Sequence, residues 1–242
     1  MLSQMLMVVS SGGANGPSRQ ETATYDTTTL AISPPAWVEK ATFKVWSGGG
    51  GGGKGDYASN TGGGGGAGGS YSELTLTWTP ADTIDVNIGP GGAGGTVDNG
   101  NDGGESWVEV VASGHELRVG GGSLGEGGVN GGSGFPGNST ITATGVFSAA
   151  SITAGGTGSN GETFLLSGEG GAGGTAAGMG GGAGGAGGVQ PVPTAGDGSP
   201  GTAPGGGGGG GGYRASGFNV NGAGGDGADG RIVVIWKTSD IA

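Results

Sequence analysis

Runs of glycine break this chain into short apolar segments, and no other feature restricts its fold as strongly. Glycine makes up 71 of the 242 residues. Each glycine in a helix costs about 1 kcal/mol relative to alanine, which excludes a helical protein. Collagen is excluded as well, because its triple helix needs glycine at every third position and here the glycines come in runs. The main tracts are 48–69, 89–104, 120–137, 168–188, 196–212 and 222–230.

The segments between the tracts have the pattern of β-strands. Apolar and polar residues alternate in WVEKATFKVW (37–46) and in ELTLTWT (73–79), so each segment would bury one face. The other predicted strands are 83–88, 106–111, 115–119, 140–146, 149–153, 163–166, 218–220 and 231–236. This set of short strands predicts an all-β protein without α-helices, built as an antiparallel, jelly-roll-like β-sandwich.

The glycine tracts are expected to be ordered parts of the same fold. Each tract leaves one strand and returns to the next, so the strands form one core only if every tract goes out and comes back. Glycine favours an extended helix with three residues per turn, which has no internal hydrogen bonds. The backbone groups of such helices must pair with neighbouring helices. We therefore predict that the excursions form a polyglycine II bundle held at its base by the sandwich.

Non-glycine residues interrupt the tracts, and we expect them at the outer tips of the excursions. The interruptions are 54–61, 96–102, 135–139 and 189–204. Side chains displayed on a rigid support are typical of a binding protein. From these segments we predict that the receptor is contacted by Lys54, Asp56, Tyr57, Asn60, Asn99, Asn101, Asp102, Phe135, Gln190, Val192 and Asp197.

Charge and composition exclude several classes of partner. The formal net charge is −11, the wrong sign for neutralising phosphates, so nucleic acid is not an expected partner. The chain has no cysteine, so neither disulfides nor thiolate metal sites stabilise it. No window of the sequence approaches the length of apolar chain that crosses a bilayer, and we expect no membrane insertion.

Catalytic motifs are incomplete in this sequence. His115 is the only histidine, which leaves no multi-histidine metal site and one imidazole base. The GGSLG segment around Ser123 matches the nucleophile-elbow pattern, but such matches arise by chance in a glycine-rich chain, and no helix follows it. In GGGGGGKG (48–55) the serine or threonine that a phosphate-binding loop requires is missing. We therefore expect no enzymatic activity and no cofactor.

One segment partly matches a calcium-binding loop. Asp98, Asp102 and Glu109 occupy the first, fifth and twelfth positions of such a loop, with a glycine at the sixth. Gly100, however, stands at the third position, where a ligand is needed. An ordinary turn rich in Asp, Asn and Gly is the competing interpretation.

Three segments resemble a known family. KVWSGGGGGGKG (44–55), IGPGGAGG (88–95) and GAGGDGADGRIVVIW (222–236) are similar to the glycine-rich tail-fibre and receptor-binding proteins of tailed bacteriophages, of the polyglycine II sandwich type. The resemblance covers residues 37–236. It implies an adhesin of the virion tail that recognises a bacterial surface protein or glycan outside the cell through distal loops. Because strands and tracts interleave, the layout is also similar to the glycine-rich domain of certain animal receptor tyrosine kinases.

The same resemblance suggests that two parts of the chain have different roles. Residues 1–35 have neither the strand pattern nor the glycine pattern, and we predict that they attach the protein to other virion tail proteins. Residues 36–242 would form the receptor-binding domain. Fibres are commonly threefold, so a homotrimer is compatible with this reading.

Three other functions are compatible with the residues. The same fold could serve a structural tail or head decoration protein that reads no receptor. Packed glycine helices could present an ordered face to ice, although the irregular tract lengths argue against this. A polysaccharide depolymerase would need paired carboxylates, for which Asp82 with Asp85 and Asp226 with Asp229 are the candidates.

Overall fold

The computed structural model describes residues 6–9, 18–56, 60–79, 82–128, 141–163, 167–189, 195–214 and 221–239. One short 3₁₀ turn, Gly145–Phe147, accompanies the strands. In chain order the strands are β1 (Leu6–Val9), β2 (Arg19–Tyr25), β3 (Thr29–Ile32), β4 (Lys40–Trp46), β5 (Tyr71–Thr77), β6 (Ile84–Asn87), β7 (Ser106–Val110), β8 (His115–Val119), β9 (Ile141–Ala143), β10 (Ile152–Thr153), β11 (Ser167–Gly168), β12 (Tyr213–Arg214) and β13 (Arg231–Lys237).

Two antiparallel sheets form the base of the molecule. One has the strand order β1-β2-β13-β4-β5-β10 and the other β3-β6-β7-β8-β9, while β11 and β12 pair separately. The two sheets pack face to face around a common apolar core. The predicted all-β antiparallel sandwich is thus confirmed, and the residues that the structure describes contain no α-helix.

The core follows from the alternation of apolar residues along the strands. In β13 every second residue is buried, namely Ile232, Val234 and Trp236. Phe43 of β4 lies at the centre of the core, completely buried. Its ring packs edge to face against Phe147 at 5.4 Å and against Trp236 at 6.2 Å between centroids. The second sheet covers these side chains with Ile84, Val86, Val108, Val110, Leu117 and Val119.

Three strands from the amino-terminal part of the chain, β1, β2 and β3, belong to the two sheets of the sandwich. β2 pairs with β13 over six residues, and β3 forms the edge of the second sheet beside β6. Segment 1–35, predicted to attach the protein to the tail, therefore contributes three strands to the fold. Its attachment role stays a prediction.

Some predicted strands differ in the structure. The segment 140–146 is strand only to Ala143, because Gly145 adopts a φ of +56° and begins the 3₁₀ turn. Of 149–153 only Ile152–Thr153 pairs, and Thr163 makes an isolated bridge to Thr61. Residues 164–166 and 218–220 lie outside the described part of the chain.

The glycine tracts lie side by side as extended segments. Among the described residues there are eleven, which we number in chain order. They are tract 1 (48–56), tract 2 (61–69), tract 3 (89–95), tract 4 (98–104), tract 5 (120–128), tract 6 (155–162), tract 7 (169–177), tract 8 (181–189), tract 9 (196–202), tract 10 (205–212) and tract 11 (222–230).

Hydrogen bonds between tracts repeat every three residues. The N–H groups of Gly48, Gly51 and Lys54 all donate to tract 4, at 2.9–3.0 Å. The next residue in each turn donates to tract 11, and the third donates to tract 2. The carbonyl groups of tract 1 follow the same three-residue repeat, and successive residues accept hydrogen bonds from tracts 5, 3 and 10 in turn. A threefold repeat of hydrogen bonds to neighbouring tracts is what the predicted polyglycine II bundle requires, and tract 1 has six such neighbours.

The position of a tract in this lattice explains its sequence. Tract 10, like tract 1, has six hydrogen-bonded neighbours, and it consists of glycine alone and is buried throughout. Tracts at the outside carry a side chain at every third residue, on the row that faces solvent. In tract 7 these are Glu169, Ala172 and Thr175, and in tract 8 Ala183, Ala186 and Val189. A three-residue spacing of non-glycine residues therefore marks an outer tract.

Two of the predicted tracts are in fact pairs. Segment 168–188 turns back near the sandwich at Gly178 and Gly180, both with positive φ, and forms tracts 7 and 8. Trp46 Nε1 of β4 holds this turn by donating to the carbonyl of Ala177 at 2.9 Å. Segment 196–212 turns back at 203–204 and forms tracts 9 and 10. The prediction that 189–204 is one outer tip is corrected, because 196–202 forms tract 9 and 203–204 lies beside the sandwich, while 190–194 lie outside the described residues.

Acidic and amide side chains satisfy backbone groups at the outside of the bundle. Asp226 and Asp229 of tract 11 accept hydrogen bonds from the N–H groups of Gly94 and Gly91, each at 2.7 Å. These N–H groups belong to tract 3, at the edge of the lattice. Some of the acidic side chains thus accept hydrogen bonds that a further neighbouring tract would otherwise accept.

Replacing such a side chain should weaken the bundle measurably. We expect Asp226→Ala to lower the free energy of unfolding by about 1 kcal/mol, because the N–H of Gly94 loses its protein acceptor. Asp226→Asn is the matched control, since its amide oxygen can accept the same bond, and it should lose less. Urea denaturation monitored by circular dichroism measures both. Equal stability of Asp226→Ala and wild type would show that this bond contributes nothing.

Candidate binding site at the distal end of the bundle

The distal end is the end of the bundle remote from the sandwich. Tract 1 runs outward from β4 and tract 2 runs back to β5. Asp56 and Thr61 close this excursion as an antiparallel bridge, with N–H to carbonyl distances of 2.9 and 3.1 Å. The turn between tracts 3 and 4 reaches the same end, as do the end of tract 8 and the start of tract 9, where the N–H of Gly196 donates to the carbonyl of Val189 at 3.0 Å. The first two predicted tips, 54–61 and 96–102, therefore begin where the sequence pattern placed them.

A cavity of about 320 Å³ opens at this end. It lies where the end of tract 1 meets the turn between tracts 3 and 4, the end of tract 5 and the start of tract 11. Its lining residues are Lys54, Gly55, Asp56, Val97, Asp98, Gly128 and Asn221. Four segments that are far apart in sequence thus share one small concave surface.

Backbone hydrogen bonds fix the walls of this cavity. The N–H of Lys54 donates to the carbonyl of Asp98 at 2.9 Å, and the N–H of Gly128 donates to the carbonyl of Lys54 at 3.2 Å. Thr61 Oγ1 donates to the carbonyl of Gly128. Gly128 has a φ of +54°, and a Cβ there would overlap Asp56, so only glycine fits. The cavity is consequently part of the lattice and does not have to be formed when a ligand arrives.

The side chains of the cavity are mostly polar. Lys54 supplies one ammonium group and Asp56 and Asp98 supply two carboxylates. The Oδ1 atom of Asn221 is buried and accepts no hydrogen bond. Val97 adds one apolar side chain, 86% exposed. This set can donate to and accept from a polar ligand and cover one apolar face of it.

Two of the predicted contact residues line the cavity, and a third lies close by. Lys54 and Asp56 are lining residues, and both are half-buried. Asn60 lies in the turn before tract 2, with a φ of +55°. Tyr57, Phe135, Gln190 and Val192 lie outside the described residues.

The remaining predicted contact residues lie on tracts. Asn99, Asn101 and Asp102 belong to tract 4, where the Oδ1 atoms of Asn99 and Asp102 accept hydrogen bonds from tract 5 at 2.8 Å. Asp197, on tract 9, accepts from the N–H of Ala223 at 2.8 Å. These three side chains hold neighbouring tracts together, as Asp226 does. Asp226 and Asp229, the carboxylates considered for glycan hydrolysis, likewise accept hydrogen bonds from backbone N–H groups of a neighbouring tract.

The predicted calcium ligands do not form a cluster. Asp98 lines the distal cavity, Asp102 bonds to the N–H of Leu124, and Glu109 lies within β7 between Asp85 and Glu116 of the adjacent strands. In the described part of the chain, no group of three or more His, Asp or Glu side chains is placed to hold a metal ion. Segment 96–98 is therefore better described as an ordinary turn than as part of a calcium-binding loop.

Five lining residues were not among the predicted contact residues, namely Gly55, Val97, Asp98, Gly128 and Asn221. Gly55, Val97 and Asp98 belong to predicted tips, but other residues of those tips were chosen as contacts. Gly128 and Asn221 stand at the ends of tracts 5 and 11 and carry no motif. The tract lengths nevertheless contained a signal for this site. Antiparallel excursions of similar length bring the ends of tracts that are distant in sequence to one surface.

Comparison with known proteins shows the family of this chain. A family model described as a glycine-rich domain matches residues 22–237, from β2 to the end of β13. No curated protein matches the chain significantly. None of the helical segments that the structure describes is long and apolar enough to cross a membrane.

Proposed function

This chain belongs to the glycine-rich domain family, and we propose that it is the receptor-binding adhesin of a bacteriophage tail. In this proposal the protein is not an enzyme. It recognises a receptor on the bacterial surface with the distal end of the bundle. Residues 1–35 contact other tail proteins, and the chain assembles as a homotrimer on the outside of the virion.

The distal cavity is the observation that carries this proposal. It joins four segments at the end of the bundle farthest from the sandwich, on a support whose backbone groups are hydrogen-bonded between tracts. A preformed polar surface loses little conformational entropy when it binds. The outer row of tract 8, in contrast, carries only the small or apolar residues Ala183, Ala186 and Val189. The acidic and amide side chains on other outer rows, such as Asp102 and Asp226, bond to neighbouring tracts.

The proposal is tested by the binding of the labelled full chain to cells on which the phage that carries this gene grows. The triple variant Lys54→Ala, Val97→Ala, Asp98→Ala removes three side chains of the cavity and should bind at least tenfold more weakly. Met179→Ala is the matched control, because Met179 is 83% exposed at the opposite end of the bundle. It should bind cells and compete with phage adsorption as wild type does.

Circular dichroism and thermal unfolding are the controls that test whether both variants are folded. Wild-type binding by the triple variant would contradict a receptor-reading role for the cavity. Failure of the wild-type chain to bind the cells would contradict the adhesin proposal itself.

A structural virion component is the second candidate. It is favoured by the finding that Asn99, Asp102 and Asp197, three predicted contact residues, bond to neighbouring tracts. In that case loss of the protein would weaken the particle, and substitutions at the distal end would leave adsorption unchanged. Particle stability of a deletion phage, measured beside adsorption of the triple variant, separates the two functions.

A further inference from the structure

We infer that the chain binds a second copy of itself, with the basic outer face of one sandwich on the acidic outer face of the next. The basic face is the solvent side of the sheet β1-β2-β13-β4-β5-β10, and the acidic face is the solvent side of the sheet β3-β6-β7-β8-β9. The inference goes beyond the proposed function, because it rests on the charges of the two sheets and not on receptor recognition.

Basic side chains are concentrated on the first face. Every second residue of β4 and β13 belongs to the core, so the residues between them lie on the outer side of the sheet. These outer residues include Lys40, Lys44, Arg231 and Lys237. In the four described strands β2, β13, β4 and β5, the only acidic residue on this side is Glu73. One face thus carries half of the eight basic residues of an acidic chain.

Two of these positive charges are offset within the chain. Lys44 pairs with Glu73 at 3.4 Å, and Arg231 Nε donates to Asp26 Oδ1 at 2.6 Å. At the end of the sheet away from the bundle, the register of β13 and β4 sets Lys237 directly opposite Lys40. With four basic and two acidic side chains, the face has a net positive charge.

Carboxylates are concentrated on the opposite face of the sandwich. Asp85, Glu109 and Glu116 are register partners across β6, β7 and β8. All three are half-buried, and they alternate with core residues along their strands, which places them on the solvent side. Arg118 pairs with both Glu116 and Glu105 and offsets one of the four negative charges. This face therefore has a net negative charge.

Both arrangements are unfavourable within a single copy. Like charges directly opposite one another on adjacent strands destabilise a sheet. Glu109 has a carboxylate on each side, and among the described residues it forms no ion pair. Lys40 and Lys237 repeat this situation with the opposite sign. A partner that sets ammonium groups against the carboxylates relieves the repulsion on both faces, and a second copy of this chain carries them in that arrangement.

Apolar side chains accompany the charges on both faces. Val233 and Ile235 lie on the outer side of β13 among the basic residues, and both are half-buried. On the acidic face Trp107 of β7 is half-buried, and the guanidinium carbon of Arg118 lies 5.2 Å from its ring centroid. Protein interfaces characteristically combine apolar and aromatic contacts with a polar surround. The two faces therefore offer each other apolar contacts as well as opposite charges.

The contact is heterologous, which means that it joins two different surfaces. A twofold contact would instead set each face on its own equivalent and bring like charges together. Because the faces lie on opposite sides of the sandwich, a bound pair still presents one basic and one acidic face. Further copies can then add, as the proposed homotrimer requires. Both faces belong to the sandwich, so the distal end of the bundle stays uncovered.

Sedimentation velocity of the full chain over a range of concentrations tests the inference. We expect the mass to rise with concentration above the 22.4 kDa of one chain. Lys237→Glu and Glu109→Lys should each weaken this association at least tenfold. Glu169→Lys is the matched control for Glu109→Lys, because it changes the net charge equally at an exposed position on tract 7, and it should associate as wild type does.

A mixture of the two variants distinguishes a lost contact from a lost structure. The Glu109→Lys chain keeps its basic face and the Lys237→Glu chain keeps its acidic face. An equimolar mixture should therefore form mixed complexes with about the wild-type affinity, although each variant alone does not associate. Each substitution also separates like charges within the chain, so circular dichroism should show the wild-type fold.

Three results would overturn the inference. They are a wild-type chain that stays monomeric at every concentration, wild-type association of either folded variant, and a mixture that associates no better than its components. The adhesin proposal is judged separately by cell binding. A monomeric chain that binds cells keeps the adhesin proposal and refutes the contact between copies, whereas a chain that self-associates without binding cells does the reverse.

Discussion

Gly51→Ala should destabilise the protein by about 3–5 kcal/mol, although it adds only one methyl group. Gly51 lies in tract 1, which has six hydrogen-bonded neighbours. A Cβ at this position would overlap the carbonyl oxygen of Ala93 in tract 3. The tracts would have to move apart, which disturbs the bonds of Gly51 to Asn101 and Gly125. Overpacking costs about 1–3 kcal/mol, and each buried hydrogen bond that is lost adds about 1–3 kcal/mol.

The matched control is a substitution of similar size on an outer tract. Ala186→Ser in tract 8 adds one oxygen on the row that faces solvent, and we expect a change within about 0.5 kcal/mol. Guanidinium denaturation of the two variants and of wild type gives the comparison. If Gly51→Ala were as stable as Ala186→Ser, close contact between the central tracts would be refuted.

Phe43→Ala should cost about 3–5 kcal/mol and should unfold the bundle together with the sandwich. The Phe43 ring is fully buried and packs against Trp78, Phe147 and Trp236. Glycine tracts bury few side chains of their own, Ala67 among them, so their order depends on the strands that hold both ends of each excursion. Loss of the aromatic core therefore removes the support of the bundle.

Thermal unfolding followed by tryptophan fluorescence and by amide hydrogen exchange tests this dependence. In Phe43→Ala both signals should change in one transition at a lower temperature. Leu30→Ala, at a position 63% exposed on edge strand β3, is the control and should melt as wild type does. Tract amides that stay protected after the tryptophan signal is lost would show that the bundle is stable alone.

Alternation of apolar residues was sufficient to predict the strands with a buried face. β4, β5, β7, β8 and β13 each coincide with a predicted segment to within a few residues. β2 was missed because RQETATY has little apolar content, and Glu21 is the one buried residue in it. This strand is held by backbone pairing with β13, which leaves no signature in side-chain polarity.

The bundle could be predicted as a type of structure but not as a lattice. The three-residue helix follows from glycine content, yet an interruption of the glycine does not reveal whether the chain turns back there or at which end of the bundle. The turns at 178–180 and 203–204 were therefore read as parts of longer tracts and tips. The spacing of Ala183, Ala186 and Val189 did contain the information that tract 8 faces solvent.

The candidate site could be predicted only in part, because it is made of the ends of several tracts. Lys54 and Asp56 were found from the interruption of a glycine run. Asn221 could not be found, because its role depends on the lattice that brings tract 11 beside tract 1 through bonds such as that between Gly55 and Gly222. Equally, the sequence does not reveal that Asp102 and Asp197 bond to backbone groups of adjacent tracts.

Site-specific photo-crosslinking tests most directly whether the distal end reads the receptor. A photoreactive amino acid is placed at position 97, on the rim of the distal cavity, or at position 179, near the sandwich. Both positions are more than 80% exposed, with Val97 at 86% and Met179 at 83%. After illumination on host cells, position 97 should be crosslinked to a surface component and position 179 should not. Equal crosslinking at both positions, or crosslinking at 179 alone, would contradict recognition by the distal end.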